Sequence, residues 1–268
     1  MNFSDFEYAD ERLSDYGGMV CSFSDSNGAE NSVLSHLTIN TVKNMNSYKR
    51  KIVSHSYDDT YSFSMEICKN ESTEKRYFTE SEAMEIINWL GRNEYLKFKP
   101  IYDDDSFYDI CYYGLFDVDI IKISNGMVGI SATFQSNSPF GFGEPVEYIA
   151  DITESNNQIT IYDDSNADMI LCPKISFTCS KAGDLSINNS YDNRTTVIKN
   201  CKVNETIYID CENELIESSL SHDNLANDFN YIYQNITCKY GGCENTFTFL
   251  LPGKLELTYE PLRKVGLI

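Results

Sequence analysis

Thr79-Glu80-Ser81-Glu82-Ala83-Met84-Glu85-Ile86-Ile87-Asn88-Trp89-Leu90-Gly91 carries the one strong helical signature in this chain. Thr79 followed three residues later by Glu82 is a capping box, in which each side chain satisfies a backbone N–H of the other residue. Ala83, Ile86, Ile87 and Leu90 recur at i, i+3, i+4 and i+7, an apolar stripe that must face a sheet. Gly91 stands where a left-handed C-cap is wanted. From Gly91 to Phe142 the chain reads as strand and turn. The first half is therefore expected to be one helix, about residues 80–90, clamped on a sheet.

Upstream of the helix, Tyr61 to Cys68 alternates apolar and polar side chains, the mark of a strand with one wet face. Leu34 to Val42 and Arg50 to His55 read as strand or arm pieces joined by Lys43-Asn44-Met45-Asn46. Residues 1–30 are polar and turn-rich, with short apolar pieces at Phe3, Phe6, Tyr8 and Leu13 and a strand from Met19 to Phe23. Downstream, Leu96 and Phe98 alternate with Lys97 and Lys99, and strands run over Ile110–Tyr113 and Phe116–Ile123. Asn125-Gly126 is a type I′ hairpin signal, and a two-residue loop there sets Ile123 opposite Val128 and Ile121 opposite Ile130. Val118 and Ile120 sit in the opposite phase, which predicts a β-bulge near Ile120–Ile121.

Residues 138–145, Ser-Pro-Phe-Gly-Phe-Gly-Glu-Pro, break the pattern with two Pro and two Gly and are the expected linker. They separate a first domain, 1–140, from a second, 146–268. In the second, strands recur at sandwich spacing: Gln158–Tyr162, Lys174–Cys179, Leu185–Asn188, Thr195–Ile198, Thr206–Asp210, Glu214–Glu217, Asn245–Leu250 and Leu255–Tyr259. Turns rich in Asn, Asp and Gly divide them, and no window has a helical period. The fold class expected is mainly β: a helix on a sheet, then an antiparallel jelly-roll-type sandwich.

The chain has 268 residues, 21 Lys and Arg against 41 Asp and Glu, and a net charge of −20. Neutralising phosphates takes clustered Lys and Arg, so nucleic acid is not an expected partner. No run approaches the ~18 apolar residues of a membrane span, and the acidic opening, Met1-Asn2-Phe3-Ser4-Asp5-Phe6-Glu7, lacks the base and apolar core of a signal peptide. Synthesis in the cytosol is the expectation. Most of the nine Cys sit singly in apolar strands and read as small buried hydrophobes. Cys238-Lys-Tyr-Gly-Gly-Cys243 fits either a hairpin-end disulfide or half of a metal site, and no second pair or nearby His completes a zinc shell.

Catalytic signatures are missing from the sequence. His36, His55 and His222 have no motif context, and nucleophile-elbow, Walker-type and dinucleotide-binding glycine patterns are absent. The acidic sets Asp103–Asp105, Asp117/Asp119 and Asp163/Asp164 are what chance supplies among 41 acids. Asp164-Ser-Asn166-Ala-Asp168 begins like a calcium loop, but Met169 replaces the required Gly and Ile175 the closing Glu. Neither an enzyme nor a cofactor or metal is expected.

Four stretches together resemble a known family. They are Glu11-Arg12-Leu13-Ser14-Asp15-Tyr16-Gly17-Gly18-Met19-Val20; Ile86-Ile87-Asn88-Trp89-Leu90 with the strands up to Val128-Gly129-Ile130-Ser131-Ala132-Thr133-Phe134; the Ser138-Pro139-Phe140-Gly141 exit; and, beyond the linker, Gly183–Asn188, Glu205–Asp210, Asn245–Phe249 and Gly253–Tyr259. In this order and spacing the chain resembles the distal tail protein of long-tailed phages. The resemblance implies a β-barrel-like N-terminal belt domain with one helix and a galectin-like C-terminal sandwich. It implies, further, a virion protein forming a homohexameric ring at the tail tip, between the tail tube protein and the tip hub or receptor-binding proteins. In such a ring the expected contact surfaces are the polar N-terminal arm, the strands of the first domain and a basic piece, in which Lys43, Lys49, Arg50 and Lys51 would meet acidic loops of the next subunit. The alternative is a carbohydrate-binding adhesin using aromatic faces of the sandwich, although the sole Trp, Trp89, lies on the helix of the other domain and reads as packing. A hydrolase acting on cell-wall polymer is the third reading.

Overall fold

A computed structural model describes residues 3–23, 37–57, 60–70, 77–102, 110–123, 126–220 and 222–264. They divide into two compact units, one drawn from Met1–Phe142 together with the residues from Lys264 on, the other Gly143–Arg263. The protein is mainly β, as its patterning requires.

The first unit contains β1 (Phe3–Tyr8), β2 (Glu11–Arg12), β3 (Gly18–Cys21), β4 (Leu37–Lys43), β5 (Arg50–Tyr57), β6 (Ser62–Lys69), α1 (Glu80–Leu90), β7 (Leu96–Tyr102), β8 (Tyr112–Ile123), β9 (Gly126–Ser136) and β10 (Gly141–Phe142). Seven of these strands form one antiparallel sheet in the order β2-β1-β7-β8-β9-β6-β3. Among the described residues its two end strands do not pair, so the sheet is open where a barrel-like one was expected. Phe63, Phe134 and Phe116 stand side by side on adjacent strands, as do Met65, Ala132 and Val118, and they build the inner face with Phe98 and Ile130.

Helix α1 begins as its sequence dictates. The Thr79 N–H donates to Glu82 Oε2 at 2.8 Å, and the Glu82 N–H donates to Thr79 Oγ1 at 3.3 Å. Lys69, reaching from β6, adds two bonds to the same carboxylate at 2.6 and 2.7 Å. The Lys69 bonds and the Thr79 N–H hold Glu82 down at about 2. The buried stripe is Ala83, Ile86, Trp89 and Leu90, with Ile87 only partly covered. Trp89 is the correction to the stripe: it stacks on Phe6 at 5.6 Å and on Tyr16 at 4.7 Å. Gly91 is not left-handed, its φ being −76°. It is small for another reason, since a Cβ there would meet the Ile87 carbonyl oxygen at 2.8 Å.

Two bulges reshape strands of the seven-stranded sheet. Ile123 pairs with Gly126 and Lys122 with Met127, then the register shifts so that Ile121 meets Gly129 and Ile120 meets Ile130. The bulge falls one residue beyond the expected place, with Val128 as the extra residue, and the expected partners of Ile121 and Ile123 change accordingly. Ser124 and Asn125 of the turn lie outside the described residues. A second shift, between Phe3 and Asp5, lets Phe3 and Phe6 both turn inward although they are three residues apart.

The second unit contains β11 (Val146–Ile152), β12 (Gln158–Asp163), β13 (Met169–Leu171), β14 (Lys174–Cys179), β15 (Gly183–Asn189), β16 (Thr195–Cys201), β17 (Thr206–Asp210), β18 (Leu215–Ser218), α2 (Leu225–Asp228), β19 (Ile236–Cys238), β20 (Cys243–Phe249), β21 (Gly253–Tyr259) and β22 (Leu262–Arg263). An antiparallel five-stranded sheet, β11-β21-β14-β17-β18, and a four-stranded one, β12-β20-β15-β16, make the galectin-like sandwich. Phe177 from the first and Phe249 from the second stack at 5.5 Å in its core. Strands β11, β13, β19 and β22 and the single turn of α2 have no counterpart among the expected elements.

Candidate functional site

Strands β4 and β5 form a hairpin that, among the described residues, joins no larger sheet. Its register pairs Leu37 with Tyr57, Ile39 with His55, Asn40 with Ser54, Thr41 with Ile52 and Lys43 with Arg50. The step from Asn40/Ser54 to Thr41/Ile52 leaves Val53 as an extra residue in β5. Paired residues share a face of a ribbon, and so do residues two apart along a strand. One face is therefore Leu37, Ile39, Ile52, His55 and Tyr57, apolar toward the root, with Thr41, Lys43 and Arg50 on the same side toward the tip. The other carries Thr38, Asn40, Ser54 and Ser56, where Asn40 Nδ2 donates to Ser54 Oγ at 3.0 Å.

Such an amphipathic ribbon ordinarily lays its apolar face on a body. Here Leu37, Ile39 and Ile52 of that face are 46%, 47% and 66% exposed, and Val42 on the other face and Val53 at the bulge are 48% and 67% exposed. At the tip, Met45 and Tyr48 are as open as isolated residues. An apolar face left this open marks an interaction surface.

The four expected contact residues cluster at this tip. Lys43 and Arg50 face each other as the last pair of the ladder, Lys51 pairs with Val42, and Lys49 lies in the turn. Ser47 shapes the turn, its N–H donating to the Asn44 carbonyl at 3.0 Å and its hydroxyl to the Lys49 carbonyl at 3.1 Å. Arg50 Nη1 donates to Thr41 Oγ1 at 3.2 Å. Among the described residues none of the four cations makes an ion pair. Four uncompensated cations within nine residues stand out in a chain of net charge −20. The hairpin's root is fixed: Tyr57 packs edge-on against Phe140 at 4.8 Å and receives a hydrogen bond from Lys264 at 2.6 Å. What sequence reading missed is the apolar face, because the extra residue at Val53 breaks its period.

The apolar residues of the N-terminal arm belong to the sheet, while Ser4, Asp10 and Glu11 are exposed. Phe3, Phe6 and Tyr8 are buried, and β1 lies inside the sheet between β2 and β7. His55 sits on the hairpin's apolar face, and His222 is buried between two carboxylates. His36 and Asp103–Asp105 lie outside the described residues. Asp117 and Asp119 point to the outer face of β8, while Asp163 is buried on the hydroxyl and N–H of Ser165 and is held above the usual carboxylate range by that burial. Asp164 receives two bonds from Arg263, each 3.1 Å, and Asp168 accepts the Tyr240 N–H at 2.8 Å, so these acids do not converge on one ligand. Cys238 and Cys243 are free thiols, as are the other seven. Among the described residues no group of three His, Cys, Asp or Glu side chains is placed to hold a metal. The exposed tyrosines of the second unit are spread over both sheets, Tyr208 on one and Tyr162 on the other.

Comparison with known proteins places this geometry. Residues 1–138 match the family described as "Phage tail protein N-terminal domain", and residues 140–259 the one described as "Phage tail C-terminal domain". No curated protein matches the sequence. Among solved structures, the chain is similar to the Dit protein (gp 19.1) of phage SPP1, described as a paradigm of the hub adsorption apparatus in phages infecting Gram-positive bacteria. The match has a TM-score of 0.64 at 13% identity and covers 96% of this chain and 98% of that one. The chain belongs to the phage tail protein family, a component of the virion's tail with the fold of a distal tail protein.

Proposed function

We propose that the protein is a structural hub of the tail tip: a homohexameric ring at the distal end of the tail. On one side the ring would meet the tail tube protein, on the other the tip hub and receptor-binding proteins, after assembly in the host cytoplasm. The first 140 residues form the ring-closing belt in this reading, the linker spans 138–145, and the sandwich from 146 onward carries the adhesion parts. The single observation that supports it is the β4–β5 hairpin, an apolar face left open among the described residues and a cationic tip in an acidic molecule. Its occupant is a second copy of the chain, which supplies the opposite charge to Lys43, Lys49, Arg50 and Lys51. A surface on one copy that fits a different surface on the next makes a head-to-tail contact, and such contacts close into a ring when the repeated rotation returns to its start. The role needs no catalytic group.

Native mass measurement tests this. The wild-type protein is expected at six times the chain mass, and a Lys49→Glu/Arg50→Glu/Lys51→Glu variant as a smaller species. A wild-type protein that stays monomeric at every concentration, or a variant that still forms hexamers, overturns the proposal.

A further inference from the structure

His222 is buried, its side chain only 3% exposed, and each ring nitrogen faces a carboxylate. Nδ1 lies 2.8 Å from Glu205 Oε1, and Nε2 lies 3.1 Å from Asp228 Oδ2. A neutral imidazole has one N–H to donate, and its other nitrogen would then point a lone pair at a carboxylate. The geometry is complete only for the doubly protonated ring. Glu205 needs that cation, because its side chain is 0% exposed and a buried carboxylate without a counter-charge is costly. Its remaining partners are neutral: the Lys202 N–H and the Ser218 hydroxyl, both at 2.6 Å.

The two carboxylates belong to different pieces of the sandwich. Glu205 stands in the turn between β16 and β17, and Asp228 ends α2. The α2 segment lies along β16, an edge strand of the four-stranded sheet. Phe229 bridges to Ile198, and the Asn230 N–H donates to the Val197 carbonyl at 3.1 Å. At the other end of β16, Asn200 Nδ2 holds Asp228 at 3.1 Å, and the Lys202–Asp223 pair, at 3.7 Å, is open to solvent. The ring of His222 joins the turn to the helix from within, bonding a carboxylate of each.

We infer that His222 is a proton-operated latch: its charged ring pins α2 to the Glu205 turn, and loss of its proton releases α2 from the edge of β16. The groups facing the ring are Glu205 from the turn, Asp228 from α2 and Cys201 from the end of β16, with Lys199 acting on Asp228. Burial alone would lower the His222 value, but the bonds to Glu205 and Asp228 outweigh it and raise the ring above 6.5. The cation's share of the clamp is therefore complete below 6.5 and lost as pH rises through the raised value. Burial likewise opposes the charge on Glu205, yet bonds from Ser218, Lys202 and His222 hold it below 4.5, and bonds from Asn200 and His222 hold Asp228 below 3.8. Their share is lost only as pH falls through those lowered values. The latch is tightest in mildly acidic solution and opens toward alkali.

Amide hydrogen exchange of the full chain, corrected for intrinsic rates, reads the latch directly. Protection of the peptide spanning α2 is expected to fall roughly ten-fold between about pH 6 and about pH 9, while β14 and β21 in the sandwich core keep theirs. In His222→Gln, protection of α2 is low and indifferent to pH. Asp228→Asn, a milder change, removes one carboxylate and so moves the wild-type transition to lower pH, which an NMR titration of the ring would follow even if His222→Gln failed to fold. Uniform protection of α2 across this range, or a ring titration unmoved by Asp228→Asn, overturns the inference.

Discussion

Trp89 donates its indole N–H to the carbonyl of Tyr8 across 2.9 Å, fastening the last turn of α1 to the end of β1. The bond is buried, and Tyr8 completes the enclosure by packing edge-on at 6.1 Å. Replacing Trp89 with Phe keeps most of the apolar contact but leaves the Tyr8 carbonyl without that donor, which costs about 1–3 kcal/mol. Trp89→Ala adds a cavity, for about 3–5 kcal/mol in total. Urea unfolding followed by far-ultraviolet circular dichroism measures both, and equal midpoints for Trp89→Phe and wild type would contradict the bond's role.

The start of the same helix gives a pH dependence with a definite sign. Glu82 has its pKa lowered from 4.5 to about 2, first by Lys69 and then by the Thr79 N–H. A lowered value means its contribution is complete above 4.5 and lost as pH falls toward about 2. Glu82→Gln should therefore be less stable than wild type at neutral pH and converge with it in strong acid. Thr79→Ala removes the other half of the cap for about 1 kcal/mol at any pH. Thermal melts at neutral and acid pH distinguish the two.

Folding and assembly separate at the hairpin. Ile39 and Ile52 are 47% and 66% exposed, so changing both to Asn removes little burial within one chain. Stability should stay within about 0.5 kcal/mol of wild type, as for most surface changes. Self-association, measured by light scattering, should weaken sharply. A drop in melting temperature with unchanged association would reverse the roles assigned to this face.

Gly114 tests the packing of the sheet. A Cβ there would fall 2.3 Å from the Phe134 ring and 2.5 Å from the Gln135 carbonyl oxygen. Phe134 is fully buried and in contact with Phe98 and Phe116, so it cannot yield cheaply. Gly114→Ala is expected to cost roughly 1–3 kcal/mol, the range for overpacking a filled core. Denaturant midpoints give the answer.

Cysteine accessibility is a further handle on the fold. Of nine free thiols only Cys172 is exposed. Partial desolvation by its neighbours, with Glu212 nearby, holds this thiol above its usual range, so alkylation should be slow at neutral pH. Mass spectrometry of the native protein should show one early adduct, at Cys172, and nine after denaturation.

The parts legible in the sequence are those whose period is uninterrupted. Thr79, Glu82, Ile86 and Leu90 announce α1 because capping and helical spacing are local properties. The alternations Ile207/Ile209 and Phe247/Phe249 announce sandwich strands for the same reason, each residue buried as its phase requires. Where a bulge intervenes the signal is lost. Phe3, Phe6 and Tyr8 read as scattered apolar residues of an arm because the shift after Phe3 changes their phase, and they line the core of the sheet. At the hairpin the four cations are plain from composition, whereas the greasy face opposite the polar one emerges only from the pairing. The contacts of His222 depend on carboxylates 17 residues before it and six after it, a relationship that local spacing does not encode.

The extra residue in the second arm of the hairpin, Val53, has a geometric consequence for whatever the arm builds. A bulge sharpens the twist of a ribbon where it occurs, and so sets the direction in which the tip is presented. Copies joined by one repeated rotation either return to their starting point or wind onward without end. In the assembly proposed above, the turn angle held at a single valine then bears on whether copies make an annulus or a spiral.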